Sequence, residues 1–284
     1  MKKAILAVSA AALLTAAPSA QEPAPAAAPD YDIQVTYGVS LLGLSVGSMQ
    51  LDIKFANGTY EAHAFVQPEG LASTFTSNTV NAVANGTGRL GEMQPFSSWI
   101  QQVSTKRTQT VSIQYKDGEP AQVEAVPVYE QRPEEKPTPE QIAGTYDPLG
   151  GVVAMMLMPG AGPGDKACGT TIPIYDGKRA YAFDMWSGGE QQVTRGAGGY
   201  NGPTLYCVAG YRRIAGWDAE HVRKASDTKI HVNFAPIGKG ANGGPAFYLP
   251  VRMWSDAEVG DVVAIPSKVT INGKDWAQFF ADGG

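Results

Sequence analysis

Runs of alternating apolar and polar residues, broken at intervals by dipeptides that reverse a chain within two residues, constrain this sequence more than any other feature. Tyr31, Ile33, Val35, Tyr37 and Val39 alternate with Asp32, Gln34 and Thr36, the period-two signature of a strand with one buried face. Met49, Leu51, Ile53 and Phe55 repeat it. Asn57-Gly58 then suits a tight turn with positive φ at both residues, and Tyr60, Ala62, Ala64 and Val66 form the return strand. Strand patterns continue at Met93 to Val103, Gln109 to Tyr115 and Val123 to Tyr129, with Asp117-Gly118 turning between the last two. Further on, Thr171 to Tyr175 and Ala180 to Trp186 flank Asp176-Gly177, and Leu205 to Ile214, Ile230 to Phe234, Phe247 to Trp254 and Val262 to Ile271 follow. Leu71 to Val83 fits a helix or a loop equally well. Only 17% of residues are charged, while Gly (33) and Pro (20) are frequent, a balance that favours short strands joined by turns over long surface helices. The expected class is all-β: a curved antiparallel sheet, an open barrel or a β-spiral.

One main helix is expected near residues 147–158. Asp147 supplies an N-cap oxygen, Pro148 fits the first helical position, and the apolar run Leu149 to Met158 stops at Pro159-Gly160. Gly150 and Gly151 weaken it on propensity, so packing against the sheet must hold it. Glu130 to Glu140, with its prolines and glutamates, reads as a solvated loop and the chain's hinge.

The N-terminus reads as an address. Lys2 and Lys3 precede an apolar core from Ala4 to Leu14 and small residues around Ala16 to Ala20, the layout of a cleaved secretory signal over residues 1–20 and too short for a membrane span. Residues 21–30 form a Pro/Ala-rich linker, and 31–284 are expected to fold as a single β domain. Such a signal takes the chain out of the cytoplasm into an oxidising compartment. In that oxidising space Cys168 and Cys207, the two cysteines of the chain, are expected to form one structural disulfide, stabilising by about 4 kcal/mol in the chain-entropy model. The net charge of −5 without long basic runs argues against nucleic acid as a partner, and no basic amphipathic stretch suits a membrane surface.

Chemical motifs are few. Gly43-Leu44-Ser45-Val46-Gly47 matches G-x-S-x-G, but that nucleophile elbow needs a strand turning into a helix, and here a strand follows. His63, His221 and His231 lack metal-ligand spacing, and Asp165, Asp176 and Asp184 lack the spacing of a calcium loop. Gly160 to Lys166 has glycines but neither the Gly-Lys-Ser/Thr ending nor, at Pro163, the backbone donor of a phosphate loop. No catalytic constellation, metal site or cofactor is expected. Trp99, Trp186, Trp217, Trp254 and Trp276 exceed what turns require. They either line a concave face suited to an apolar or amphipathic ligand or fill the core. On the first reading the ligand-binding residues are Trp99, Trp186, Trp254, Met155 and Met156, methionine being adaptable to variable shapes.

The hairpin Tyr175-Asp176-Gly177-Lys178-Arg179-Ala180-Tyr181, the helix start Asp147-Pro148-Leu149, the strand pair Cys207-Val208 and the strand Leu249-Pro250-Val251-Arg252 resemble, in order, the periplasmic domain-of-unknown-function family 3108 of Gram-negative bacteria. Tyr37 with Gly43 to Gly47 fits that family's opening strands. The resemblance spans residues 31–272 and implies a periplasmic, mostly antiparallel β protein, spiral or half-barrel in shape, similar to lipoprotein carriers and envelope-integrity proteins, with no established activity. The expected function is a non-enzymatic envelope protein that binds an amphipathic, lipid-like ligand or a partner protein on its curved sheet. The alternatives are an adaptor that binds proteins through a sheet edge and an envelope hydrolase using Ser45.

Overall fold

The structure, a computed structural model, describes residues 30–89, 92–157, 168–197, 199–218, 220, 229–238, 244–255 and 260–281. The expected signal, most of the linker, Met158, Asp165, the Gly160 to Lys166 loop and His221 lie outside these residues. Fourteen strands are described. The first seven are β1 (Tyr31–Leu41), β2 (Leu44–Ala56), β3 (Thr59–Pro68), β4 (Thr79–Arg89), β5 (Glu92–Val103), β6 (Thr108–Lys116) and β7 (Glu119–Val126). The second seven are β8 (Thr171–Tyr175), β9 (Ala180–Ala197), β10 (Tyr200–Ala215), β11 (Lys229–Ile237), β12 (Phe247–Ser255), β13 (Val262–Ile271) and β14 (Lys274–Asp275).

They form one antiparallel sheet ordered β7-β6-β5-β4-β3-β2-β1-β13-β12-β11-β10-β9-β8, with β14 on β13. Two meanders therefore run outward from a central pair, β1 and β13, whose ladder joins Ile33 to Ile271 at one end and Leu41 to Val262 at the other. The free edges are β7 and β8. The expected all-β curved sheet is the fold. The Asn57-Gly58 and Asp117-Gly118 turns have positive φ at both residues, as two-residue hairpins require. Asp176-Gly177 departs from that expectation. The β8–β9 connection runs over four residues, because the Asp176 carboxylate accepts the amide protons of Lys178 (2.9 Å) and Arg179 (2.6 Å) and builds a turn around itself. The open segment after Leu71 divides into a 3-10 turn, Gly70–Thr74, and β4.

The two edges curl toward each other. Tyr175 at the end of β8 packs with Val111 and Ile113 of β6, and a Cβ on Gly177 would lie 2.4 Å from a Val111 methyl. Among the described residues no ladder closes this seam. The chain between β7 and β8 straps it instead: Gln131 donates to the Lys178 carbonyl (3.2 Å), the Gly216 amide donates to Glu135 (2.9 Å), and Tyr146 exchanges backbone bonds with Pro173 and Tyr175. The expected solvated hinge at 130–140 is exposed, but it carries a 3-10 turn (Pro133–Glu135) and a short helix, α1 (Pro139–Ile142).

The expected main helix is α2 (Pro148–Met156), starting on the Asp147 cap and ending at Leu157. It lies inside the curl, touching β3, β4 and β5 on one side and β8 and β12 on the other. Leu149, Val153, Met156 and Leu157 join the main core with Ile33, Val35 and Tyr37 of β1. Its glycines are explained by close approach. A Cβ on Gly151 would sit 2.1 Å from Ile174 Cδ1, and one on Gly150 2.6 Å from Asp147 Oδ2. A third helix, α3 (Trp276–Ala281), was not expected; its buried Trp276 and Phe279 belong to the main core.

Cys168, just ahead of β8, and Cys207 on β10 are joined by a disulfide with Cα atoms 5.7 Å apart. The bridge clamps the β8 edge to the body of the sheet. Asp147 is fully buried, and its Oδ1 accepts from Leu149 and Gly150, both at 3.0 Å. Its Oδ2 has no partner, nor do the buried hydroxyls of Tyr60 and Tyr115, whose charges it would oppose. Burial pushes the carboxyl up to about 6, against the pull of the helix amides.

An acid raised on folding is protonated in the native chain while it ionises in the unfolded one. Its contribution is therefore fully favourable below about pH 4 and is lost as pH rises to about 6, an order of 3 kcal/mol at 1.36 kcal/mol per pH unit. Asp147→Asn keeps the cap oxygen without the charge, so the stability of wild type relative to Asp147→Asn should fall between about pH 4 and 6, as read by urea denaturation across that range. Asp147→Ala should lose about 1 kcal/mol at low pH from the missing cap. For the bridge, thiol titration of unfolded, unreduced protein should find no free thiol, and Cys207→Ser should lower stability by up to about 4 kcal/mol without abolishing the fold.

Candidate functional site

Between α2 and the first meander the curl is not filled. A pocket of about 440 Å³ remains, within the size range of small-molecule sites, roughly 300–1,000 Å³. Its aliphatic lining, which forms the floor, comes from the inner faces of five strands, Met49 and Leu51 (β2), Ala64 (β3), Val80 and Ala82 (β4), Ile100 (β5) and Val111 (β6), with Gln102 and Gln109 beside them. Alternation puts them there, since each lies in phase with a core residue of its strand. Pro148, Leu149 and Val152 of α2 form one wall, so the capped first turn of the helix defines the pocket's depth.

The mouth has a different chemistry. Arg107 reaches it from the β5–β6 loop, Tyr129 from the strap, and Asp176, Lys178, Arg179 and Tyr181 from the β8–β9 hairpin. Each cation is positioned by a neutral group. Arg107 donates to the side-chain oxygen of Gln109, itself buried and tied to the Pro127 carbonyl (2.8 Å). Lys178 Nζ stands 5.2 Å from the centre of the Tyr129 ring, and the Arg179 guanidinium 5.5 Å from that of Trp217. Burial first, then Asp176, pushes the Tyr129 hydroxyl up, while Arg107 and Arg179 pull it down, so both guanidiniums bear on the same hydroxyl. Asp176 is the one carboxylate lining the pocket, and its Oδ1 is spent on the amides of Lys178 and Arg179. A second recess of about 440 Å³ shares Val80, Gln102, Arg107 and Gln109 with the first and adds Lys106.

None of Trp99, Trp186, Trp254, Met155 and Met156 lines this pocket. Trp99 alternates with Ile100, pairs with Val83 and stands in register with exposed His63 on the outer face. A bulge opposite Gly86 shifts the phase of β5 so that Ser98 is inward. Trp186, Val208, His231 and Trp254 form one cross-strand row on the face opposite buried Cys207 and Val232. There Trp254 stacks on His231 (centroids 5.0 Å) and Tyr206 (5.6 Å), Tyr206 and His231 share a 2.7 Å hydrogen bond, and Arg252 covers Trp254. Met156 is fully buried in the core, and Met155 packs against the second cluster beside the disulfide. Trp276 is core. Trp99, Trp186 and Trp254 thus lie on the outer face, and the aromatic residues that do line the pocket are Tyr129 and Tyr181.

Ser45 lies exposed on β2, the second residue after a Leu42-Gly43 turn with positive φ at both positions. It pairs with Ser40 across a β-hairpin, with no strand-to-helix elbow around it. His63 contacts Glu61 (3.1 Å) on the outer face, and Asp184 pairs with Arg212 (2.6 Å) at the surface. Among the described residues no group of three or more His, Cys, Asp and Glu is placed to hold a metal ion, and no helix is long and apolar enough to cross a membrane.

The fold and its pocket define a class: an open, curled antiparallel sheet with a helix inside the curl and a hollow beside it. No family model matches the chain, so the resemblance to family 3108 rests on the order of its short motifs, and no curated protein matches either. Among solved structures, a β-barrel-like protein of domain of unknown function DUF1849 from Brucella abortus aligns over 87% of this chain and 99% of its own, at 14% identity and a TM-score of 0.45.

The pocket residues were legible only in part. Asp176, Lys178, Arg179 and Tyr181 belong to the hairpin motif that carried the family resemblance, but the sequence reading made of it only a turn. An active-site serine probe of the fluorophosphonate type is expected to leave Ser45 unlabelled; stoichiometric labelling abolished by Ser45→Ala would place a nucleophile there.

Proposed function

We propose that this protein is a non-enzymatic periplasmic binding protein of the cell envelope, holding the apolar part of an amphipathic ligand in the hollow beside α2. One observation carries the reading: aliphatic side chains of five strands and a helix wall line one part of the pocket, while Gln102, Gln109, Arg107, Tyr129 and the β8–β9 hairpin make the rest polar. An amphiphile suits that division, since its chain leaves water against the floor, at about 25 cal/mol for each Å² of apolar surface removed, while its head stays at the rim. The fold by itself carries no function, and the periplasmic setting rests on the N-terminal signal and on the disulfide's need for an oxidising compartment.

A second reading, a protein adaptor, draws on the β7 edge. Val123, Val126 and Val128 are exposed there, and among the described residues the outer ladder positions of β7 have no neighbouring strand, the arrangement that a partner's extended segment pairs with.

Native mass spectrometry and calorimetry with dodecyl maltoside, an uncharged amphiphile, below its micelle concentration should find one saturable site per chain. Ala64→Phe projects a ring into the floor and is expected to weaken that binding at least tenfold with an unchanged melting temperature. Equal binding by wild type and Ala64→Phe would remove the hollow as the site and leave the adaptor reading.

A further inference from the structure

Resting on that reading of the hollow, we infer that the ligand's head is an anion, a carboxylate or phosphate monoester, gathered at the pocket mouth by Arg107, Lys178 and Arg179. The three cations come from two parts of the chain far apart in sequence, the β5–β6 loop and the β8–β9 hairpin, and the strap residue Tyr129 lies among them. The curl of the sheet brings them to one rim.

Their partners are what make the rim a receptor. Two other cations of this chain, Arg212 and Arg132, are each neutralised by a carboxylate, Asp184 and Glu135. Arg107, Lys178 and Arg179 take part in no salt bridge among the described residues. A glutamine oxygen, a phenol ring and an indole ring hold them instead. These neighbours fix where the cations stand and leave the charge itself unneutralised. Asp176 offsets one of three, and the turn amides already occupy one of its oxygens.

Positive charge of this kind, beside an apolar wall that excludes water, is worth more to an anion than the same charge in open solvent. Guanidinium groups also match the planar, two-oxygen face of a carboxylate or phosphate. The neighbouring recess shares Arg107 and adds Lys106, which extends the same sign of charge along the rim. The chain as a whole carries a net charge of −5, so general attraction by the protein works against an anion. Selection for one has to come from this rim.

The test holds the tail constant and changes the head. Laurate, dodecyl phosphate and dodecyltrimethylammonium are titrated calorimetrically below their micelle concentrations, with inorganic phosphate as a tail-less control. Wild type should bind both anions at least tenfold more tightly than the cation, and inorganic phosphate far more weakly than dodecyl phosphate. In the triple variant Arg107→Gln, Lys178→Gln, Arg179→Gln that preference should vanish while dodecyl maltoside still binds. Equal affinity of wild type for anionic and cationic heads would overturn the anion inference and leave the hollow as a binding site. Inorganic phosphate binding as tightly as dodecyl phosphate would replace the amphiphile by a free anion and overturn it too. Failure of every dodecyl compound, dodecyl maltoside included, would sink the hollow and the inference together. The head-group series on wild type stands alone should the triple variant fail to fold.

Discussion

Everything in this molecule hangs from the ladder between β1 and β13. It is the only connection in the sheet's main path, among the described residues, that joins one meander to the other, and it pairs the first described strand with one near the end of the chain. Both strands are buried on the inner face: Ile33, Val35 and Tyr37 from one, Val269 and Ile271 from the other. The Tyr37 hydroxyl donates to the Pro250 carbonyl inside the core (2.9 Å), which ties the ladder to β12 as well. With the middle of the sheet fixed in this way, curvature carries the two outer edges round toward one another, and the space they enclose is what α2 occupies and what the pocket inherits.

The enclosed space is divided between packing and vacancy by one helix. A helix lying in so tight a curl needs a narrow side, and Gly151 supplies it against Ile174, while Gly150 makes room for the Asp147 cap of the helix itself. Only a helix anchored at its start can stop short of filling the hollow, and the Asp147 cap provides the anchor. The cap also carries a penalty, a buried carboxylate oxygen with no partner beside two tyrosine hydroxyls in the same condition. A buried polar group left unsatisfied costs stability, and it has been placed directly behind the pocket wall formed by Pro148, Leu149 and Val152.

What the sequence made legible was local. Alternation located β1, β2 and β3; Asn57-Gly58 and Asp117-Gly118 placed two turns; Asp147-Pro148 placed the start of α2 within a residue. What it hid was phase and distance. The bulge beside Gly86 turns β5 over, so Trp99, expected on the concave face or in the core, is outward. The β1–β13 pairing leaves no trace in either strand, because an antiparallel partner at a separation of over two hundred residues imposes the same alternation as a neighbour. The pocket is hidden for the same reason: five strands, one helix, one loop, the strap and one hairpin each contribute between one and four residues, and no window of sequence contains the set. Asp176 gave a partial signal, recognisable as a turn former yet silent about the cations that its turn presents.

The seam between β7 and β8 has a consequence for how such a protein can vary. In a closed barrel the diameter is set by the number of strands and their stagger, and so changes in steps of whole strands. Here the last interval of the circumference is spanned by side chains, Tyr175 on Val111 and Ile113, and by a strap held through a handful of backbone bonds. Capacity is thereby released from strand count. Single substitutions along the seam, or a residue added to the strap, can widen or narrow the interior by amounts smaller than a strand. Variants of one topology can then be graded to contents of different girth.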